Sequence, residues 1–451
     1  MDARWLAGAI FLLALAIRAA GMGSRLSIDD AYSWFAASSP SAHVFLNRLA
    51  DYENTPPLIY LVLMVLPGSS PAWLRLPAVL PGALLCPVLW ALLRPRLGER
   101  PALLAALAVA VSPYVITYSN LARGFMLADL ALLGAVWALL ALADRPTRGR
   151  WVAFCLCGAV AMYTEYASAI FWVALTLAGV WTGRPARRGL LIASGLALAS
   201  LIAWVPEIVR GQDQVGLTKL GPQVATPSVT ALRDMVATLA LGEHGGTRSA
   251  IGRWAFVCLV LALAAVAGWL IRRRWASIGP RGRHAIRLLL ATLVLTPIGY
   301  ALVAIVGIDV FTQRYITILV PIAAALGAVA VSQLGGRAVV LAAVVLALVG
   351  AGNFARRLGG QWQPDLTPVR QAVADAHPRT VLTNTPVVVY YLPAFHPSFD
   401  RPVNLGFGLQ NRCARPCVAV DDQHGIFGGP PRQMSGARRL IAGRFRVTVE
   451  R

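Results

Sequence analysis

The sequence is poor in charged residues: Asp, Glu, Lys and Arg make up only 14% of its 451 residues, whereas 57% are hydrophobic. A single soluble core cannot bury that much apolar surface, so the composition excludes an ordinary soluble globular protein. Apolar runs separated by short arginine-rich turns recur from residue 5 to about residue 354. This pattern is typical of a polytopic helical membrane protein.

Acidic residues are scarce too: 20 Asp and Glu stand against 41 Lys and Arg, which gives a formal net charge of +21. Such a charge raises the question of nucleic-acid binding. However, the basic residues are mostly arginines that cluster at the ends of apolar segments, and they do not form one basic face. There is also no zinc, helix-turn-helix or aromatic-basic signature. We therefore expect membrane lipids, and no nucleic acid, among the partners.

Eleven apolar segments are predicted to cross the membrane, although several are shorter than the roughly twenty residues that a spanning helix needs. They lie approximately at 5–21, 73–93, 101–118, 121–143, 150–163, 166–181, 188–209, 251–271, 286–307, 314–333 and 338–354. The first could be mistaken for a signal peptide, but the many comparable segments after it favour a retained anchor. Residues 56–66 are too few to span, and we predict a re-entrant or interfacial element there.

The arginine-rich turns fix the predicted orientation. If residues 56–66 do not cross, every such turn falls in the cytoplasm, as the positive-inside rule requires. These turns carry Arg94, Arg96, Arg100, Arg145, Arg148, Arg150, Arg184, Arg187, Arg188, Arg272, Arg273, Arg274, Arg281, Arg283 and Arg337. We therefore predict a multi-pass protein of the cell inner (plasma) membrane with a cytoplasmic N-terminus. Residues 22–72 then form an outer loop with interfacial helices, and residues 210–250 form a second large outer loop.

The composition shifts after Phe354, and the remaining apolar runs are too short to span. The predicted fold is thus an all-α polytopic membrane domain of about eleven transmembrane helices over residues 1–354. A small soluble extracytoplasmic α/β domain follows over residues 355–451. Cys413 and Cys417 flank a polar turn of that domain, and an even cysteine pair in an oxidising compartment predicts a disulfide. A metal site there would need more ligands than His424.

The short loop after the first span contains two adjacent carboxylates, Asp29 and Asp30, at the edge of the membrane. Ionised side chains at that depth are costly and mark candidate functional sites. Helix capping is the alternative: Asp29 would cap an amphipathic helix from Asp30 to Ala37, and Asp30 would suit its positive end. The local sequence leaves both interpretations open.

Other polar and aromatic residues are predicted on the same outer face. They are Tyr118, Arg123, Glu165, Arg314 and Tyr315. Each has an ordinary explanation, because arginines can reach lipid headgroups, a glutamate can cap a helix and tyrosines can join an aromatic belt. Their convergence with a carboxylate pair on one face favours instead a site for an anionic substrate and a proton acceptor.

Several short motifs follow one another in a characteristic order over residues 1–354. They are Asp29-Asp30-Ala31-Tyr32, Pro56-Pro57-Leu58-Ile59-Tyr60, Trp73-Leu74-Arg75-Leu76-Pro77, Ser112-Pro113, Tyr118-Ser119-Asn120-Leu121-Ala122-Arg123-Gly124-Phe125, and Arg314-Tyr315 with Pro321. In this order and spacing the chain resembles the type-C membrane glycosyltransferases. It is most similar to the group of protein O-mannosyltransferases and aminoarabinose transferase-like enzymes, which use polyprenyl-phosphate sugars.

The resemblance implies inverting transfer of a sugar to an acceptor on the outer side of the membrane. Asp29 would be the general base that takes the acceptor proton, with Asp30 beside it in the catalytic pair. The phosphate leaves already ionised, so no acid partner is needed. A divalent metal at the aspartate pair is compatible with this chemistry, but no cofactor is required. The expected substrate contacts are Tyr32, Asn54, Tyr118, Arg123, Glu165, Arg314 and Tyr315.

Two positions depart from the family pattern. Aspartate occupies position 30, where such families usually have glutamate, and Thr55 precedes the prolines where some members have lysine or histidine. Recognition of the donor phosphate must then depend on Arg123 and Arg314, whose planar guanidinium groups match phosphate oxygens.

The expected partners are the polyprenyl-phosphate sugar and a cell-envelope glycan, lipid or protein acceptor. A polytopic transporter of lipid-linked sugars, or a glycan ligase or polymerase, is the alternative. A transporter should carry charges at mid-membrane and interrupted helices in matching halves of the chain.

Overall fold

The computed structural model describes residues 3–53, 55–183, 187–207, 250–305, 313–358 and 367–377. It also describes a few positions between 209 and 236, residues 390–391 and five strands after residue 379. Asn54, most of the predicted loop 210–250 and Cys413 lie outside the described residues. The predicted Cys413–Cys417 disulfide therefore stays a prediction.

The N-terminal part begins with helix α1, followed by three short helices before the long ones. These are α1 (Ala3–Ala19), α2 (Ile28–Ala37), α3 (Ala42–Arg48) and α4 (Leu58–Met64), with a π-helical turn at Leu49–Glu53 between α3 and α4. Helix α4 has seven residues. At a rise of about 1.5 Å per residue, such a helix is only about 10 Å long, far short of a membrane span.

Long apolar helices make up most of the rest of the chain. They are α5 (Pro71–Leu97), α6 (Glu99–Val111), α7 (Pro113–Ser119), α8 (Phe125–Asp144), α9 (Arg148–Thr164), α10 (Ser168–Thr182), α11 (Arg187–Ala199), α12 (Ala250–Arg273), α13 (Pro280–Ile305), α14 (Leu319–Ser332) and α15 (Gly336–Leu358). Short 3₁₀ turns lie at Ser200–Trp204, Trp275–Ser277 and Gln313–Ile316. One core of buried apolar side chains joins these helices.

Five helices of the described part are long and apolar enough to cross a membrane. They are Pro71–Leu97, Phe125–Asp144, Arg187–Glu207, Arg253–Arg273 and Pro280–Ile305. A sixth span exists if α6 and α7, which meet at a bend of 57°, are counted as one. The chain is therefore a multi-pass membrane protein.

The bend between α6 and α7 falls at Ser112-Pro113, where proline cannot continue the α6 hydrogen bonds. The carbonyl groups released at this break are buried, and Arg18 of α1 satisfies two of them. Its guanidinium donates to the carbonyl oxygens of Val109 and Ala110, at 3.4 and 3.3 Å, and to Ser119 Oγ at 3.0 Å. This fully buried arginine holds the bend that turns the chain towards Arg123.

The C-terminal part contains helix α16 (Thr367–Ala376) and a five-stranded sheet. The strands are β1 (Thr380–Thr383), β2 (Pro397–Phe399), β3 (Cys417–Asp422), β4 (Arg438–Ala442) and β5 (Phe445–Glu450), in the order β2-β1-β3-β5-β4. Strand β1 is parallel to β2 and β3, whereas β5 is antiparallel to β3 and β4.

The buried core of this sheet reaches the N-terminal part through α2. Val369, Val373 and Val418 pack in one apolar cluster with Ala31, which is fully buried. Two tyrosine side chains add polar contacts: the backbone N–H of Leu26 donates to Tyr391 Oη at 2.7 Å, and Tyr390 Oη donates to the Ser69 carbonyl at 2.9 Å. The sheet therefore packs against the helix that carries the aspartate pair.

Candidate active site

Helix α2 begins with a reciprocal hydrogen-bonded cap. Ser27 is the N-cap residue, and its Oγ accepts from the Asp30 backbone N–H at 3.2 Å. The Asp30 carboxylate accepts in turn from the Ser27 backbone N–H at 2.9 Å. The capping alternative, with Asp29 as the cap of a helix that starts at Asp30, is therefore wrong in its residue: the helix begins at Ile28, and the carboxylate in the cap is that of Asp30.

Asp30 is fully buried, and both of its carboxylate oxygens have partners. Oδ2 lies 2.7 Å from Arg75 Nη2, and Oδ1 accepts from the Ala122 backbone N–H at 2.6 Å. Arg75 also donates to the carbonyl groups of Ser24 and Arg25, each at 2.7 Å. Asp30 thus fixes the start of α2 against α5 and the loop that contains Arg123.

Asp29 has a different environment. Its side chain is 28% exposed and contacts Arg123 Nη2 at 3.0 Å. Burial raises the pKa of the Asp29 carboxyl, but the positive charges of Arg123 and Arg314 outweigh burial and leave that pKa below its usual value. Asp29 is therefore an ionised carboxylate that stays accessible at its open side.

Arg123 connects two carboxylates that come from separate segments. Its Nη2 binds Asp29, while its Nη1 binds Glu53 and lies 3.0 Å from Tyr60 Oη. Tyr60 Oη is also hydrogen-bonded to Thr55 Oγ1 at 2.5 Å. Because Arg123 already pairs with two acids, much of its charge is neutralised within the protein.

Glu53 is not among the site residues predicted from the sequence. This residue ends the π-helical turn, and its side chain is only 3% exposed. Burial raises the pKa of its carboxyl and the nearby Asp29 adds to the rise, while Arg123 opposes both. The signal that was available is its position directly before Asn54-Thr55-Pro56-Pro57, since an acid beside an apolar interfacial segment is unusual.

Arg314 lies in the 3₁₀ turn before α14, near the same acids. Its charge lowers the pKa of both Asp29 and Glu165, and its guanidinium is 5.7 Å from the ring centroid of Tyr315. In the part of the chain that the structure describes, Arg314 makes no ion pair. It is thus the site arginine whose charge is not matched by a bonded carboxylate.

Glu165 lies between α9 and α10 and is 9% exposed. Burial raises the pKa of its carboxyl to about 7, although Arg314 opposes the rise. The structure therefore brings Asp29, Arg123, Arg314 and Glu165, which are predicted to share the outer face, into one electrostatically connected group.

Of the predicted aromatic residues, two lie beside this charged group and one does not. The ring of Tyr118 lies 5.2 Å from that of Phe125, which in turn is 6.4 Å from the Tyr315 ring. Tyr32 is buried within the packing of α2 and is 3% exposed. Tyr118 and Tyr315 thus adjoin the charged group, whereas Tyr32 is a buried residue of the helix that carries Asp29.

A metal site is not evident in the described residues, where no group of three or more His, Cys, Asp or Glu side chains is placed to hold an ion. Asp29 and Glu53 are both bonded to Arg123. Within the described residues, a guanidinium therefore occupies the position between these carboxylates.

Comparison with known proteins gives a family match and two informative structural matches. Residues 55–209 match the family model described as dolichyl-phosphate-mannose-protein mannosyltransferase. The structure of ArnT from Cupriavidus metallidurans bound to undecaprenyl phosphate is similar with a TM-score of 0.60 at 14% identity, covering 100% of this chain and 98% of ArnT. Comparison with curated protein sequences gives no match.

A second similar structure is that of the archaeal oligosaccharyltransferase AglB from Archaeoglobus fulgidus, in complex with an inhibitory peptide and a dolichol-phosphate. Its TM-score is 0.53 at 12% identity, and the match covers 90% of this chain and 62% of AglB. Both structures share the fold of this chain, and the resemblance seen in the sequence is confirmed. Over residues 55–209 the chain is thus similar to the dolichyl-phosphate-mannose-protein mannosyltransferases, and it has the polytopic membrane fold of ArnT.

Proposed function

We propose that this enzyme transfers a glycosyl group from a polyprenyl-phosphate sugar to an acceptor hydroxyl at the outer face of the inner membrane, with inversion at the anomeric carbon. The observation that carries the proposal is an ionised, partly exposed Asp29 that is ion-paired with Arg123 and lies near the charge of a second arginine, Arg314, which has no ion pair among the described residues. Undecaprenyl phosphate on ArnT and dolichol-phosphate on AglB support a polyprenyl carrier.

The proposed reaction divides the work between the acid and the arginines. Asp29 accepts the proton of the acceptor hydroxyl while the acceptor oxygen attacks the anomeric carbon. The bond from that carbon to the phosphate oxygen breaks on the opposite side, and the electron pair leaves with the polyprenyl phosphate. Arg314, assisted by Arg123, stabilises the charge that grows on the departing phosphate. Asp29 is then protonated and returns its proton to solvent through its exposed side.

We also propose how the chain crosses the membrane. We assign eleven spans, a cytoplasmic N-terminus, and an extracytoplasmic C-terminal α/β domain over residues 355–451. Helix α4 supports this assignment because it is too short to cross, which leaves the arginine-rich turns on one side. The contact between Ala31 and the valines of α16 and the sheet also supports it, because that contact requires the C-terminal domain and Asp29 to be on the same side.

Sugar transfer by the purified protein tests the proposal. The protein in nanodiscs is incubated with synthetic polyprenyl-phosphate pentoses and hexoses and a panel of hydroxyl acceptors. Release of polyprenyl phosphate is measured, together with the anomeric configuration of the product. We expect stoichiometric release and an inverted product. Movement of the intact lipid-linked sugar across a liposome membrane, without release of sugar from any donor, would support the transporter alternative and contradict the proposal.

A further inference from the structure

One carboxylate oxygen of Glu53 has no hydrogen-bond partner in the part of the chain that the structure describes. Its Oε2 accepts from Arg123 Nη1, whereas Oε1 is buried and has no hydrogen-bond partner among the described residues. The side chain is 3% exposed, so bulk solvent does not reach it freely. A buried acceptor without a hydrogen-bond partner costs free energy, and in a functional site such an atom is a candidate for binding a ligand.

The position of this oxygen restricts what the ligand is. Asp29 and Glu53 bind the two terminal nitrogens of the same guanidinium, so Glu53 lies one guanidinium away from the proposed base. Asp29 is 28% exposed and Glu53 only 3%, which places Glu53 at the deeper end of the pair. Oε1 therefore belongs to the same cluster as Asp29, beside which the proposed reaction places the substrate.

The charges around Glu53 further restrict the chemical nature of the ligand that can bind Oε1. Arg123 already neutralises much of the two carboxylates, and burial and Asp29 raise the pKa of the Glu53 carboxyl. Tyr60 Oη, 3.0 Å from Arg123 Nη1, helps to hold the guanidinium in this arrangement. A neutral O–H donor satisfies Oε1 without adding a further charge to this buried group, and hydroxyls are the abundant donors of a sugar.

We propose that Oε1 of Glu53 accepts a hydrogen bond from a sugar hydroxyl of a bound substrate, either on the transferred glycosyl group or on a glycan acceptor, and so determines which sugar is accepted. This inference rests on the proposed function. It assigns to Glu53 a role in substrate specificity that differs from the proton transfer assigned to Asp29.

A comparison of two lipids in Glu53→Gln tests whether the hydroxyl that binds Glu53 belongs to the transferred glycosyl group of the donor. The affinities of undecaprenyl phosphate and polyprenyl-phosphate mannose are measured for the wild type, Glu53→Gln and the control Glu99→Gln, whose carboxylate is 41% exposed in an ion pair with Arg94. Loss of a counter-charge near Arg123 changes both affinities together and cancels in their ratio. We expect the preference of the wild type for the sugar-bearing lipid to fall about 10-fold or more in Glu53→Gln alone.

The same variants are then assayed with a glycan acceptor, to test whether the hydroxyl that binds Glu53 belongs to the acceptor. An unchanged lipid ratio with an acceptor KM raised about 10-fold assigns the hydroxyl to the acceptor and supports the proposal. If neither quantity moves relative to Glu99→Gln, Glu53 does not bind a sugar hydroxyl. A sugar preference that a metal chelator abolishes in the wild type would also overturn the proposal, because the oxygen would then bind an ion.

If Glu53→Gln does not fold, the wild type and monodeoxy sugars provide the same test. One hydroxyl position of the mannosyl group or of the acceptor must then contribute about 10-fold to binding or to KM, and an even loss over all positions overturns the proposal. These binding measurements are independent of turnover. A wild type that transfers no sugar contradicts the proposed function while the binding ratio still reports on Glu53.

Discussion

The first turn of α2 lies between two regions, an anchored region that contains Asp30 and an open region that contains Asp29. The anchored region contains Asp30, Arg75 and the Ala122 backbone N–H, with the Asp30 side chain fully buried. The open region contains Asp29 and Arg123, with the Asp29 side chain 28% exposed. Identical side chains at adjacent positions therefore have opposite environments, because successive residues of a helix point in different directions.

The different environments of Asp29 and Asp30 show how a charged site is held in place at a membrane edge. Both carboxylate oxygens of Asp30 and both terminal nitrogens of Arg75 have partners, most of them backbone atoms, whereas Arg75 Nε has none among the described residues. Asp29 has a single bonded arginine and an accessible side. We infer that the anchored region determines the position of α2, and that the open region carries out the chemistry.

The largest structural effect is expected from Arg75→Ala. This change leaves Asp30 as an unpaired buried carboxylate and removes the donors to the Ser24 and Arg25 carbonyls. Breaking a buried ion pair costs about 3–5 kcal/mol, so we expect a large fall in thermal stability and in yield of folded protein. The measurement is the unfolding temperature in nanodiscs. Arg100→Ala, at an exposed position, is the control, and equal stability of the two variants would refute the anchoring role.

A smaller effect, confined to donor binding, is expected from Arg314→Ala. Its guanidinium has no ion pair in the described part of the chain, so the phosphate loses a charge-assisted hydrogen bond that contributes about 1.5–3 kcal/mol. We expect affinity for undecaprenyl phosphate to fall about 10- to 100-fold, with little change in unfolding temperature.

Two further variants sharpen the Arg314 prediction. Arg337→Ala changes an exposed arginine and should leave donor affinity unchanged. Arg123→Ala should weaken donor binding and also raise the pKa of Asp29, because Arg123 is the bonded counter-charge of that carboxylate. Equal donor affinity in the wild type and Arg314→Ala would show that Arg314 interacts with lipid headgroups and not with the donor.

Glu165 gives a pH-dependent prediction. Burial raises the pKa of its carboxyl from 4.5 to about 7 in the folded protein. The folded state therefore holds the proton more tightly than the unfolded state, and stability decreases as pH rises from about 4.5 through about 7. Glu165→Gln cannot ionise and should flatten this dependence. Unfolding temperatures from pH 4.5 to 8 check it, and identical slopes in wild type and variant would contradict the burial of this carboxyl.

The smallest effect is expected from Tyr391→Phe. The change removes one hydrogen bond, from the Leu26 N–H to Tyr391 Oη, and keeps the ring. A neutral hydrogen bond contributes about 0.5–1.5 kcal/mol, so we expect a modest loss of thermal stability. A loss as large as that of Arg75→Ala would mean that the C-terminal part, and not Asp30, is the main anchor of α2.

The apolar segments could be predicted from the sequence because hydrophobic length is a local property. Each of the eleven predicted segments coincides with a helix or with a pair of consecutive helices, and the predicted segment 101–118 is broken at Pro113. The cap was also readable, since Ser27 stands three residues before Asp30 in the pattern of a capping box. The capping alternative names the wrong aspartate because it takes the first acid of the pair as the helix boundary.

The partners of the site residues could not be predicted in the same way. Arg75 lies 45 residues from Asp30, and Arg123 lies 70 residues from Glu53. Such pairs depend on how several helices pack, and no local pattern encodes that packing. The role of Glu53 is hidden for this reason: it comes from a distant arginine, and the local sequence shows only an acid beside an interfacial segment.

The most direct test of the account compares Asp29→Asn and Asp30→Asn by the rate of sugar transfer per folded molecule. A general base contributes about 10²- to 10⁴-fold, so we predict that Asp29→Asn lowers the rate by that factor without lowering the unfolding temperature. Asp30→Asn should lower the unfolding temperature and keep most of the rate of the molecules that remain folded. An active Asp29→Asn together with a folded but inactive Asp30→Asn would reverse the two roles and contradict the account.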